Sequence, residues 1–251
     1  LKGLWHGIKP VYSPPIGMTP HAMLYPAHVP PAEIGMAVED VDTPALLVEL
    51  DAFEANLERM ASKVADSDVE LRPHAKAHKC PAIGLQQMAH GAKGLCCQKV
   101  GEAEAMVNAG INNVLITNEI VGASKLKRLA ALSKRAWLGV CVDDPWHIEQ
   151  LNAAALAVQT KLHVLVEINV GANRCGVEPG EPALRLARQI AASPGLHFCG
   201  LQAYHGSAQH LRTPEERAQA IAGALAKATL TVELLERSGL KPEIVSGAGT
   251  G

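Results

Sequence analysis

At 251 residues, 48% of them hydrophobic and 19% charged, the chain can bury one large α/β core, and it is too apolar to stay disordered over most of its length. Its 23 Lys and Arg against 25 Asp and Glu leave a formal charge of -2, and aromatics make up 3%, which excludes a nucleic-acid or anionic-membrane surface carried by global charge. No apolar run reaches the roughly 18 residues of a membrane span, no basic-then-apolar leader opens the chain, and the six cysteines form neither a CxxC pair nor a disulfide framework, so the sequence predicts a soluble protein of a reducing, cytoplasmic compartment.

Residues 1–44 hold Pro10, Pro14, Pro15, Pro20, Pro26, Pro30, Pro31 and Pro44, which remove backbone donors and predict an extended arm laid over the domain or a partner subunit. From Ala45 a regular domain is expected to the end of the chain. The run 45–50 (ALLVEL) reads as a strand, and 51–65 follows as a helix with Phe53, Leu57, Met60 and Val64 at helical spacing. The alternation repeats: strands at 69–74, 94–98, 113–117, 137–142, 163–169, 198–204 and 243–247, with helices at 81–91, 101–109, 123–134, 144–156, 181–192 and 214–238. Thr213, Pro214 and Glu216 spell the start of the last helix.

Eight strands separated by seven helices predict a (β/α)8 barrel. A doubly wound open sheet is the alternative, but its glycine fingerprint is missing after the first strand, where the chain reads ELDAFEANL. The barrel's last strand needs cover beyond "SGAGTG", so a further segment or domain is expected after it.

In such a barrel chemistry gathers at the C-terminal ends of the strands. Strand two ends in "RPHAKAH". If it stays extended, Arg72, His74 and Lys76 share the face toward the barrel axis. A rim lysine there is either an amine made nucleophilic toward an aldehyde or a solvated or phosphate-binding cation. The glycines of "SGAGTG", with Thr250, either cradle a phosphate or form a plain turn. Together they suggest pyridoxal phosphate, which needs both an amine and a phosphate cradle. His210, on the loop after strand seven, is a candidate proton-transfer group, and His74 and His205 either orient a cofactor or move a proton. Gln98 and Asn118 offer neutral amides at two neighbouring strand ends, for a ring hydroxyl or a water, or for loop capping. Glu102 and Glu104 fit a helix dipole, and of Cys96 and Cys97 one faces the interior and one the helices.

The stretches "DTPALLVELDAFEANL", "LRPHAKAHK", "GLCCQKVGEAEA", "NVLITNE", "VGANRCGV", "GLQAYHGSAQH" and "VSGAGTG" resemble, in order over residues 40–251, the pyridoxal-phosphate enzymes related to D-threonine aldolase, 3-hydroxyaspartate aldolase and D-serine dehydratase, which share the alanine racemase barrel. The resemblance implies that Lys76 carries the cofactor, Arg174 approaches its pyridine nitrogen and Tyr204 lies beside the ring. Ser246, Gly249, Thr250 and Gly251 would hold the phosphate. It also implies a C-terminal β-rich domain holding a divalent metal, Mn2+ or Mg2+ for an aldolase and Zn2+ for a dehydratase, so no metal ligand is assigned in this chain. The implied activity is retro-aldol cleavage of a D-3-hydroxy amino acid in a homodimer. Dehydration of D-serine or D-threo-3-hydroxyaspartate is the alternative, and a non-catalytic pyridoxal-phosphate-binding barrel is a third reading.

Overall fold

A computed structural model describes residues 32–248. Most of the proline-rich arm, and Gly249, Thr250 and Gly251 of the phosphate-loop reading, lie outside the described residues. The chain divides into two compact units, residues 1–55 and 56–251.

In the first unit the described residues form one short 3-10 turn, Val38–Asp40, and then the start of α1 (Leu50–Ala65). The Glu49 carboxylate accepts from the Ala52 N–H at 2.6 Å, satisfying one of the free donors at that helix start. The strand expected at 45–50 is not formed. Residues 45–49 carry no strand hydrogen bonding, Leu46 is 76% exposed, and Leu50 opens the helix. A short apolar run has no strand identity of its own; a paired sheet edge has to supply it.

The second unit continues through α2 (Pro81–Ala89), β1 (Leu95–Cys97), α3 (Val100–Asn108), β2 (Asn113–Glu119), α4 (Ala123–Leu132), β3 (Trp137–Val142), α5 (Pro145–Ala157), β4 (Leu162–Glu167), α6 (Glu181–Ala192), β5 (Leu196–Ala203), α7 (Pro214–Arg237) and β6 (Ile244–Gly247). The six strands are all parallel, in the order β1 to β6. The α/β class and the strand–helix alternation of the alanine racemase barrel are borne out, with six strands rather than eight in the described sheet. The strand expected at 69–74 survives as a partial one. His74 bridges Cys96, the Cys96 N–H donates to the Pro73 carbonyl at 2.8 Å, and Pro73, with no N–H to give, limits the ladder.

Side-chain alternation along the strands sorts the core into two layers. Cys96, Leu115, Cys141, Leu165 and Cys199, one from each of β1 to β5, form a single inner cluster, which requires the sheet to curl around them. Cys97, Val114, Val140, Val164 and Val166 point the other way, into a larger cluster with Met106, Leu129, Leu151 and Ile190 of the helices. The expected split between Cys96 and Cys97 is therefore what the strand delivers.

Thr213 and Glu216 close a reciprocal capping box on α7. By length and composition α7 would also suffice to cross a membrane. Its buried residues Ala224, Ala228, Thr231 and Leu235 recur every three or four positions, the stripe by which a helix packs on a sheet.

The register of β4 on β5 slips between Val164 and Leu165, so that Leu165 pairs Gly200 and Cys199 is the extra residue. Gly200 takes φ +143°, and a Cβ there would collide with the Ile244 carbonyl oxygen of β6. Gly200→Ala should therefore cost roughly 2–4 kcal/mol, through strain and overpacking at a site where three strands meet. Thermal melting should show a fall of roughly 5–15 °C, and a midpoint within about 1 °C of the parent would contradict this role.

Candidate active site

Because the strands are parallel, their C-terminal ends and the loops after them share one end of the sheet. The most structured of these loops follows β4. The Asn169 carboxamide oxygen accepts from the Gly171 and Asn173 N–H groups at 3.2 and 3.1 Å. Val177 returns to the strand end, its N–H donating to the Glu167 carbonyl at 3.0 Å. Gly176 (φ +95°) lies so close to that strand that a Cβ would sit 2.7 Å from the Ile168 carbonyl carbon, and its N–H donates to Asp143 Oδ2 at 3.0 Å. This tight return folds Arg174 and Cys175 back over the ends of β2 and β4.

Beneath them Glu119 of β2, Glu167 of β4 and Cys175 bring one donor atom each within 4.8 Å of one another. Glu167 is only 4% exposed. Burial, then the charge and hydrogen bond of Glu119, push its carboxyl up to about 8, while Arg174 opposes the shift. Glu167 therefore keeps its proton near neutrality, as a carboxyl buried against a second carboxylate does. The Cys175 thiol is raised by burial and by the same two carboxylates.

The Arg174 guanidinium lies over the Tyr204 ring, 5.6 Å from its centroid. Tyr204 Oη accepts from Gln209 Nε2 at 2.7 Å, tying the end of β5 to the 3-10 turn Gly206–His210. Ala172, Arg174, Tyr204, Gly206, Ser207, Gln209 and His210 line an open cleft of about 320 Å3. His205 packs beneath the loop: a Cβ on Gly171 would lie 2.7 Å from its Nε2, and its Nδ1 is 3.1 Å from Ser207 Oγ.

A second group stands at the ends of 71–75, β1 and β2. His74 Nε2 is 3.3 Å from Thr117 Oγ1, and its pKa is lowered by burial first and by the Lys76 charge second. The Lys76 N–H donates to His74 Nδ1 at 3.3 Å. Asn118 Nδ2 donates to the Gln98 carbonyl at 3.1 Å, and the Gln98 N–H to Glu102 at 2.8 Å. The β2–β3 ladder loses register between Ile116 and Glu119, which spares Thr117 and Asn118 for these contacts.

The structure thus brings Arg174, Tyr204 and His210 around one cleft, and sets His74, Lys76, Gln98 and Asn118 together at the neighbouring strand ends. Ser246 is half-buried on β6, paired in register with Gln202. Two expectations change. The strand carrying Arg72, His74 and Lys76 ends at His74 and turns over 75–78, so the three do not share an extended face: Arg72 reaches Asn113 and the Trp137 ring lower in the sheet, and Lys76 is exposed. Glu102, read only as a helix-dipole residue, also holds the Gln98 backbone. Glu119 and Glu167 escaped the sequence reading. Their signal was an acid closing the apolar strands of "NVLITNE" and "HVLVEIN", where nothing solvates a carboxylate.

Residues 48–251 match the family described as alanine racemase, N-terminal domain. The chain is 48% identical over 222 residues to a D-threonine aldolase of Arthrobacter sp., covering 88% of this chain and 59% of that protein. It is 44% identical over 223 residues to a 3-hydroxy-D-aspartate aldolase of Paracoccus denitrificans, covering 88% and 58%. The crystal structure of D-threonine aldolase from Filomicrobium marinum superposes with a TM-score of 0.86 at 56% identity, covering 88% of this chain and 60% of that one. The chain therefore spans about three fifths of the length of these relatives.

The acid pair makes stability depend on pH with a definite sign. Glu167 binds its proton more tightly in the folded chain than the ordinary carboxyl value near 4.5, so stability falls as pH rises from about 4.5 to about 8. Glu167→Gln keeps the protonated shape. Above pH 8 it should exceed the parent by on the order of a few kcal/mol, and its melting temperature should vary less from pH 5 to 9. Parallel pH profiles for the two proteins would contradict the assignment.

Proposed function

The chain belongs to the alanine racemase N-terminal domain family, and from that premise we propose that it is the cofactor-binding barrel of a pyridoxal-phosphate-dependent lyase that cleaves a D-3-hydroxy amino acid to glycine and an aldehyde. The observation that carries the proposal is the wall of the cleft, where a guanidinium lies against an aromatic ring at the strand ends of a chain 48% identical to a D-threonine aldolase.

The residues present fit the cofactor. Arg174 and Tyr204 form a flat, cationic and aromatic surface suited to a pyridine ring. Gly247 leads into the "SGAGTG" loop so close to β5 that a Cβ would lie 2.6 Å from the Ala203 carbonyl oxygen, keeping the backbone itself at the site. In this reading Lys76 supplies the amine, Arg174 faces the pyridine nitrogen and Tyr204 packs on the ring. Ser246, with Gly249, Thr250 and Gly251, takes the phosphate, and Gln98 and Asn118 serve the ring hydroxyl or its water.

When bound, pyridoxal phosphate supplies the electron sink that weakens the bonds at the substrate Cα. The protein's part is to choose among those bonds. Arg174 keeps its own proton and gives none to the ring nitrogen, which restrains the sink. The Glu119–Glu167 pair, whose electrostatics Arg174 already feels, supplies acidic surroundings for the guanidinium. His210, exposed on the cleft wall, takes the β-hydroxyl proton at a ring nitrogen, which directs cleavage to Cα–Cβ. His74, bound to Thr117 and to the backbone of Lys76, orients the lysine end of the site.

The divalent metal belongs to the same proposal through the resemblance, with no ligand assigned in this chain. The cytoplasmic setting draws on six free cysteines, and the homodimer on the resemblance alone.

Two experiments test this reading. Borohydride reduction in the presence of pyridoxal phosphate, followed by peptide mapping, should label Lys76; a label on Lys79, or on no lysine, would overturn it. In the active protein His210→Asn should lower kcat by roughly 10²- to 10⁴-fold with cofactor binding retained. Near-parental kcat would remove His210 from the proton transfer, and ammonia with a keto acid in place of glycine would replace the aldolase by a dehydratase.

A further inference from the structure

At the other end of the sheet, away from the cleft, stands a group of metal-ligating side chains that the proposed chemistry does not use. His163 is the second residue of β4 and His197 the second of β5, and the two pair directly in register. Cys199 lies two residues further along β5. His163 and Glu167 are four steps apart along β4, about 13 Å at 3.3 Å per residue, so this group is distinct from the acid pair.

One nitrogen from each imidazole and Cys199 Sγ all lie within 4.8 Å of one another. Cys199 Sγ and His163 Nδ1 are 3.4 Å apart. Zinc bonds of about 2.0 Å to nitrogen and 2.3 Å to sulfur place tetrahedral donors about 3.3–3.8 Å apart, so small ring rotations close the set.

The donors are held in advance. Trp137 stacks on His163 at 4.9 Å and 26°, and Arg72 covers the Trp137 ring at 5.1 Å. His163 and His197 meet edge to face at 5.5 Å and 81°. His197 Nε2 is 2.9 Å from Glu243 Oε1, the carboxylate contact that metal-bound histidines commonly use to fix their orientation. Burial lowers the His163 pKa and leaves a neutral imidazole, while it pushes the Cys199 thiol up to about 12, so an ion bound here has to displace a firmly held proton. The inner cluster of Cys96, Leu115, Cys141, Leu165 and Cys199 itself borders the group, with Trp137 packed against it. Packing alone does not call for two imidazoles and a carboxylate beside that apolar row.

We propose that His163, His197 and Cys199, with Glu243 as the carboxylate partner of His197, form a binding site for a divalent transition-metal ion of the Zn2+ class at the N-terminal end of the sheet. Two imidazoles and a thiolate select a borderline ion such as Zn2+ or Co2+ over Mg2+, Ca2+ or other oxygen-seeking ions. Binding displaces the Cys199 proton to solvent and joins β4 and β5 through one ion.

Cobalt is the probe. Titration of the reduced, purified chain with Co2+ should give one equivalent of tetrahedral cobalt, seen in its visible ligand-field bands, together with a near-ultraviolet thiolate-to-cobalt band. Cys199→Ala should abolish the thiolate band, and His163→Ala should weaken affinity at least tenfold, while Cys175→Ala at the far end leaves both signals in place. His197 is 43% exposed, so His197→Ala serves as a second variant if the buried Cys199 position does not tolerate change, and it too should weaken affinity at least tenfold. Absence of the thiolate band in the parent, its persistence in Cys199→Ala, or unchanged affinity in His197→Ala would overturn the proposal.

Discussion

Two carboxylates pressed together at the ends of β2 and β4 set the terms for the functional end of this molecule. Glu167 is buried at the point where the strand stops, within hydrogen-bonding reach of Glu119 and near enough to Arg174 for its charge to act on the carboxyl. A buried charge there would be costly, so Glu167 keeps its proton near neutrality. Arg174 lies over Tyr204 at the wall of the cleft. The loop that delivers it returns to its own strand through Val177 and is braced by Asp143 through Gly176.

The sheet makes this possible by repeating one rule six times. Apolar residues facing the helices form a continuous core, and the inner row of cysteines and leucines is narrow enough for the strands to curl around it. Polar groups are pushed to the two open ends of that row. At one end they form the acid pair and the cleft; at the other, the Trp137, His163 and His197 stack with Glu243.

Much of this was readable in the sequence because it follows from periodicity. Helices from 81 to 237 and strands from 95 to 247 fell where apolar spacing and caps such as Thr213–Glu216 put them. The run 45–50 failed because its apolar residues carry no information about what will pair with them. Lys76 was placed at the right end of the sheet but on the wrong geometry, since Pro73 and the turn after His74 end the alternation on which that expectation stood. Arg174 and Tyr204, named through the family resemblance, and His210, named from its place after strand seven, come together around one cleft. Glu119, Glu167 and the His163–His197–Cys199 group were not legible in the sequence, because their meaning lies in contacts between strands 20 to 50 residues apart in sequence.

In the proposed site Arg174 faces the cofactor's pyridine nitrogen. Pyridoxal phosphate labelled with 15N in its ring, bound to the chain and observed by NMR, reports the protonation of that nitrogen directly. A cationic arginine that keeps its own proton leaves the nitrogen unprotonated near neutral pH, and Arg174→Glu should shift the resonance to the protonated range. A protonated nitrogen in the parent chain, or a resonance indifferent to Arg174→Glu, would contradict the placement of the cofactor in this cleft.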